Sequence, residues 1–345
     1  MIPKTIQVQR EAPAEPEAAG RSDRRRVLRG VAGYVVKALL GLGLLAFVIS
    51  RIHNRGALWH ILRREQPAYF LLALAIYLFG QMVASARWRY LSGMLGLMGR
   101  YVDFVLFFFI GAFTNLFVPG LVGGDATRAL YLGRRYHDLG RAIASVLADR
   151  LLGLLVLVWV ATLAVAFLNH GSFPPEITTV ILLLGSGSLA GYLLMPLVGR
   201  LARFLPARLR ATVEMLKPYL YGQVAMLPAV ALAATLHLLQ ITCQFVLALG
   251  LGLPLSYRLF LLCVPVTNLF TSLPITLGGL GIREGLYVVL FGMLGVGKAD
   301  ATALGLLWFA LATLGGLCDS LAFIVAPAPL KAPAPHKSPA LAEAE

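Results

Sequence analysis

Charge is scarce in this chain: Asp, Glu, Lys and Arg supply 13% of 345 residues, about half the share of a soluble domain. With 59% hydrophobic residues alongside, that scarcity excludes a soluble body of any size. Cysteine is scarce too. Cys243, Cys263 and Cys318 stand far apart in apolar segments, with no CxxC or Cys/His spacing, so neither a disulfide framework nor a zinc site is expected. Acidic residues are few, 16 against 30 Lys and Arg, for a net charge of +14. With no soluble basic domain to carry the excess, nucleic acid is not the expected partner, and Lys- and Arg-rich cytoplasmic loops account for most of it. Catalytic signatures are missing as well. There is no GxxxxGK[ST] loop to hydrolyse ATP, no HExxH metal site and no GxSxG elbow. There is no DxD pair for a metal–nucleotide-sugar. No cofactor or metal is expected.

What is present is hydrocarbon in runs of about 20 residues, the length that crosses a bilayer. The expected fold is an all-α integral membrane domain over residues 30–325. It follows a polar, basic-ended tail (1–29) and precedes a low-complexity tail (326–345), both expected to be disordered. The spans fall at about 31–50, 69–91, 143–168, 177–198, 224–250, 281–296 and 301–325, seven or eight in all. Two further apolar segments, 103–119 and 259–275, are interrupted by Pro and Gly and read as re-entrant helices. The 199–222 loop carries Arg200, Arg203, Arg208, Arg210 and Lys217, whereas 169–176 carries no Lys or Arg. Loop charge therefore places the N-terminus in the cytoplasm. The 51–66 loop, with Arg51, Arg55, Arg63 and Arg64, breaks that pattern and reads as an interfacial helix whose arginines reach lipid phosphates.

One pattern occurs twice. TNLFVPGLVGGDATR (114–128) and TNLFTSLPITLGGLGIRE (267–284) share TNLF, then P-x-x-x-G-G-x-x-x-R. The helix-breaking residues are Asn115, Pro119, Gly123 and Gly124 in the first copy. Asn268, Pro274, Gly278, Gly279 and Gly281 take that role in the second. Each copy lies between two apolar segments, which marks repeat units of about 69–168 and 224–296. Three spans from the start of one unit to the start of the next would invert one relative to the other. Asp125 is placed to cap the helix after the break, with Arg128 one turn on. Free N–H groups, helix dipole and Arg128 together suit an anion. Arg283, with Glu284 beside it, occupies the same place in the second copy.

Asp149 and Arg150 lie inside the 143–168 span, about 10 Å from its start. Each costs about 2.5–3.5 kcal/mol at a bilayer centre. Leu, Ile, Val and Phe of the same span return about 0.3–0.6 kcal/mol each, so insertion wins. The pair is expected to face the protein interior, either as an internal salt bridge or as a headgroup or proton site. Arg87 and Arg89 read as snorkelling anchors beside Trp88. His237, Gln240 and Gln244 share a helix face and are expected to make interhelical hydrogen bonds. Asp319 has no evident partner.

Three motifs, N-x-x-x-P-x-x-x-G-G-D-x-x-R (Asn115–Arg128), D-R-x-x-G (Asp149–Gly153) and P-x-x-x-G-G-x-G-x-R-E (Pro274–Glu284), resemble the lysylphosphatidylglycerol synthase transmembrane family. The resemblance covers about residues 31–325, and nothing in the chain matches that family's soluble aminoacyl-transferase domain. It implies a multi-pass protein of the bacterial inner membrane that binds a phosphate-headgroup lipid and flips it between leaflets. In that reading Arg128, Arg150 and Arg283 hold the phosphate. Asp125, Asp149 and Glu284 hold the arginines or relay protons. The alternatives are a membrane transferase acting on a polyprenyl-phosphate or phospholipid, and a non-catalytic partner of a lipid-modifying enzyme.

Overall fold

The computed structural model describes residues 63–116, 122–201, 206–272 and 282–322. The 31–50 span, both tails, and Pro119, Pro274, Gly278, Gly279 and Gly281 lie outside the described residues. Every regular element among the described residues is a helix. In chain order these are α1 (Pro67–Met94), α2 (Tyr101–Asn115), α3 (Val122–Tyr136), α4 (Leu139–Leu168), α5 (Pro175–Leu201), α6 (Ala207–Tyr221), α7 (Leu227–Gly250), α8 (Tyr257–Thr271), α9 (Ile282–Gly292) and α10 (Lys298–Asp319).

Five of them, α1, α4, α5, α7 and α10, are long and apolar enough to cross a membrane. Their outward faces carry large apolar side chains, with Leu151 66%, Phe167 71% and Leu183 65% exposed, a surface suited to hydrocarbon rather than water. The other apolar helices are too short. The 15 residues of α2 and of α8 reach about 22 Å, against a hydrocarbon core of roughly 30 Å. The 281–296 stretch, expected to be a full span, is instead the 11-residue helix α9, about 16 Å long. It stops at a glycine: Gly295 takes φ +84°, and Val296 N–H returns to the Phe291 carbonyl at 3.0 Å, the closing bond of a left-handed helix cap.

α1 and α7 pack together along their length, and they run antiparallel. Gln66 N–H donates to the Gly250 carbonyl at 3.1 Å, Cys243 Sγ to the Ala73 carbonyl at 3.2 Å, and Tyr90 O–H to the Ala225 carbonyl at 2.6 Å. Residue numbers thus fall on one helix as they rise on the other. Ala73, Ala84, Ala229 and Ala233 are all buried in this region, and such small side chains let backbones approach. Several of the other contacts come in matched sets. α4 packs on α8 and α10 on α2; α4 packs on α7 and α10 on α1; α3 packs on α4 and α9 on α10.

Local chemistry fixes the ends of α4. Asp138 caps its start by accepting from Arg141 N–H at 2.9 Å. At its other end Arg258, at the start of α8, donates to the Leu168 carbonyl at 2.8 Å, the Asn169 carbonyl at 3.3 Å and Ser172 Oγ at 3.0 Å. A cation here satisfies orphan carbonyls and complements the helix dipole. Arg258→Ala is expected to lose about 1.5–3 kcal/mol, the range for hydrogen bonds to a charged group, read as a lower unfolding midpoint in detergent.

Candidate functional site

The sequence places Asp125 and Arg128 in the first turns of α3, and Asp149 and Arg150 in the first half of α4. Because α3 packs on α4, the four side chains meet, and Arg87 of α1 joins them. Arg87 Nε donates to Asp149 Oδ1 at 2.8 Å, and Arg128 Nη1 to Asp149 Oδ2 at 3.4 Å. Arg128 Nη2 donates to Asp125 Oδ1 at 2.6 Å. Arg150 grips Asp125 with two bonds, Nε to Oδ2 at 2.7 Å and Nη2 to Oδ1 at 2.8 Å. Three guanidiniums therefore share two carboxylates, in an alternating chain Arg87–Asp149–Arg128–Asp125–Arg150.

Exposure rises from Asp149 to Arg150. The Arg128 and Asp149 side chains are 3% and 2% exposed, Asp125 20%, and Arg150 36%. Arg128 also sits between two rings, its guanidinium carbon 5.1 Å from the Trp88 centroid and 4.7 Å from that of Phe108. Arg150 is the most exposed end of the chain.

A glycine explains one motif. In D-R-x-x-G, Gly153 lies one turn beyond Asp149 on α4, and a Cβ there would sit 3.2 Å from Arg87 Nη1. Its bare backbone lets the Arg87 guanidinium lie against the helix. The Gly153 carbonyl meanwhile contacts His237 Nε2 of α7 at 2.9 Å.

The second copy of the repeated pattern builds a different cluster. Arg283, in the first turn of α9, donates from Nη1 to Asn268 Oδ1 at 3.4 Å and from Nη2 to Thr271 Oγ1 at 3.3 Å. Its guanidinium carbon lies 5.3 Å from the Trp308 ring centroid. Glu284 packs on Gly305 of α10, where a Cβ would come within 3.0 Å of Glu284 Cγ.

Both clusters open onto adjoining cavities. One, of about 170 Å³, is walled by Arg87, Arg128 and Arg150 with Gln81 and Gln240. The next, of about 290 Å³, is walled by Arg87, Arg150 and Arg283 with Asn268, Thr271 and Ser272. Arg87, Asp149, Arg150, Gln240 and Trp308 line both, so the two hollows share a wall. Among the described residues, two buried guanidinium nitrogens of these arginines, Arg87 Nη1 and Arg283 Nε, have no hydrogen-bond partner. A buried donor left unsatisfied costs about 1–3 kcal/mol, and an anion removes that penalty.

The structure thus brings Arg128, Asp149, Arg150 and Arg283 to the walls of two adjoining hollows, with Asp125 off the walls and held by Arg128 and Arg150. Two expectations are corrected. Arg87 is not a snorkelling anchor: it is 6% exposed and bonded to Asp149, while Arg89 is the exposed one, donating to the Gly99 carbonyl at 2.8 Å. Asp125 does not cap α3. The helix starts at Val122, so Gly123 and Gly124 already lie inside it, and the Asp125 carboxylate is taken by Arg128 and Arg150. Asn115, at the end of α2, does the capping by accepting Gly124 N–H at 2.7 Å. Asp319 also gains a partner, since Gln81 Nε2 of α1 donates to its Oδ2 at 2.7 Å. Cys243 and Cys263 are buried, Cys318 half-buried, and all three are free thiols.

Known proteins place this bundle. The chain is 30% identical over 94 residues to a UPF0104 membrane protein of Methanocaldococcus jannaschii. That alignment covers 27% of this chain and 28% of the relative's own length. No solved structure matches the chain significantly. The family model described as the lysylphosphatidylglycerol synthase TM region matches residues 34–318, which takes in every helix from α1 to α9 and all of α10 but its last residue, Asp319. The chain belongs to the lysylphosphatidylglycerol synthase transmembrane-region family, as a multi-pass membrane protein.

Proposed function

We propose that this protein binds the phosphate headgroup of a membrane lipid in the joined cavities and carries it between leaflets. One observation bears most of the weight. Arg87, Arg128, Arg150 and Arg283 converge on hollows inside a membrane bundle, and buried N–H donors of Arg87 and Arg283 point to an anion. Lipid is the anion source that reaches such a site from the side.

The helix arrangement supports the transport half of the reading. Exchanging α1–α4 for α7–α10 maps the matched contacts onto one another, and α1 runs antiparallel to its counterpart α7. Both features suit an inverted repeat, with α2–α3 and α8–α9 as hairpins that enter the membrane without crossing it. Two oppositely oriented hairpins around one hollow offer alternate access from the two faces.

Proteoliposomes carrying a headgroup-labelled phospholipid test the proposal, with labelled lipid in the outer leaflet quenched by an impermeant reductant. Wild-type protein is expected to speed exchange over protein-free vesicles. Arg150→Ala, which leaves Asp125 paired with Arg128, is expected to slow it by about tenfold or more, the worth of one charge-assisted contact. Equal rates with and without protein, or an unaltered rate in the variant, would reject it.

A further inference from the structure

Beside the polar hollow runs a third cavity of a different kind, about 380 Å³ in volume. Its walls are Val158 and Ala161 of α4, Ile177, Val180 and Leu184 of α5, with further apolar side chains from α8 and α9. Glu176, exposed in the first turn of α5, is the charged group on its lining. Val180 and Val289 are 55% and 52% exposed, so the groove stands open to the surrounding bilayer.

The groove continues the polar cavity on three helices at once. On α4 the polar wall ends at Leu157 and the groove begins at Val158. On α8 and its C-cap Asn268, Thr271 and Ser272 line the polar cavity while Val266, Leu269 and Phe270 line the groove, so one helix serves both. On α9 Arg283 lines one and Leu286, one turn on, the other. The order along α4 has a direction. Asp149 and Arg150 come first, and Val158 follows about 12 Å later toward the C-terminal end. Along α4 the head-binding surface thus precedes the chain-binding one, with the polar part nearer the start of the helix. A lipid of the leaflet on that side has the same polarity.

We infer that this groove holds an acyl chain of the same phospholipid whose phosphate meets Arg150 and Arg283. The inference rests on the lipid-binding reading above and deepens it by naming the ligand: a phosphate-bearing lipid recognised at both its ends. α5 contributes one wall of the groove and belongs to neither set of matched helices, so chain recognition sits on one flank of the bundle.

Phosphatidylglycerol with a diazirine in one acyl chain tests this on the unmodified protein in vesicles. After photolysis, adducts are mapped by mass spectrometry to the groove (Val180, Leu184, Val289) and to Leu193 and Leu194, which are 61% and 58% exposed on the same α5. Excess unlabelled phosphatidylglycerol is expected to cut groove adducts about tenfold more than diacylglycerol with identical chains does, the factor one charge-assisted phosphate contact confers. Leu193 and Leu194 adducts are expected to respond equally to both. In Arg150→Ala that selectivity is expected to vanish. Equal chase of groove adducts by both competitors would show ordinary boundary lipid and overturn the inference. So would an absence of groove adducts, which would mean the groove is filled by protein. Either failure leaves the flip assay to judge transport separately: a variant that stops flipping while the groove stays unselective keeps the proposed function and discards the chain site.

Discussion

Asp149→Leu is expected to lower stability by about 3–5 kcal/mol, the largest effect of any single change in the bundle. The carboxylate is 2% exposed and both its oxygens are taken, one by Arg87 and one by Arg128. Removing it leaves the buried Arg87 guanidinium without its carboxylate and Arg128 with Asp125 alone. Asp149→Asn keeps the shape and an acceptor but not the charge, and is expected to lose less. The informative variant is the double change Arg87→Met with Asp149→Leu. Apolar replacement of a whole buried pair is often neutral, so the double variant is expected to recover part of the loss, with Arg128 still held by Asp125. Thermal unfolding in one detergent compares all three. A double variant no more stable than Asp149→Leu would mean that the pair does not act as a unit.

The second large effect belongs to a glycine. A Cβ on Gly124 would overlap the Gly111 carbonyl across the α2–α3 hairpin and come within 2.6 Å of the Asn115 side chain. Gly111 faces the same constraint, with the Gly124 carbonyl 2.8 Å and Arg128 Cγ 2.7 Å from its missing Cβ. The obstacle on both sides is main chain, which has no rotamer to move. Gly124→Ala is therefore expected to destabilise by about 1–3 kcal/mol or more, as overpacking does, and to part the hairpin at the point that seats Arg128. Gly187, with nothing within 4 Å of its missing Cβ, is the matched control: Gly187→Ala in α5 is expected to be neutral or slightly stabilising. Unfolding midpoints and flip rates of the two variants separate a local clash from a general intolerance of substitution.

Much of this was legible in the residues. Apolar runs located the five long helices to within a few positions, because a 20-residue hydrophobic stretch has one dominant solution in a bilayer. The paired TNLF and G-G-x-x-x-R patterns pointed to Arg128 and Arg283, and both arginines line the joined cavities. Arg87 was hidden by its neighbours. Residues two apart on a helix point about 200° away from each other, so Arg87 and Arg89 face opposite ways. Local sequence does not say which one turns inward. The missing signal was arithmetic: Asp149 has two oxygens, and the motif arginines alone do not fill both. Asp125 misled for a related reason. Asp before an apolar run reads as a cap, yet α3 begins three residues earlier because Asn115 supplies the acceptor from another helix. Likewise 281–296 has the composition of a span, and only the left-handed turn at Gly295 shows that it stops short.

Three arginines shared between two aspartates leave the buried network one positive charge in surplus. A charge carried through the whole thickness of a membrane exchanges about 2.3 kcal/mol with each 100 mV of transmembrane potential. Any motion that shifts the network in depth is therefore electrically loaded when the site is empty, and an anionic headgroup bound there cancels the load. Under the proposed lipid transport, voltage would then act on the empty return step more than on the occupied one.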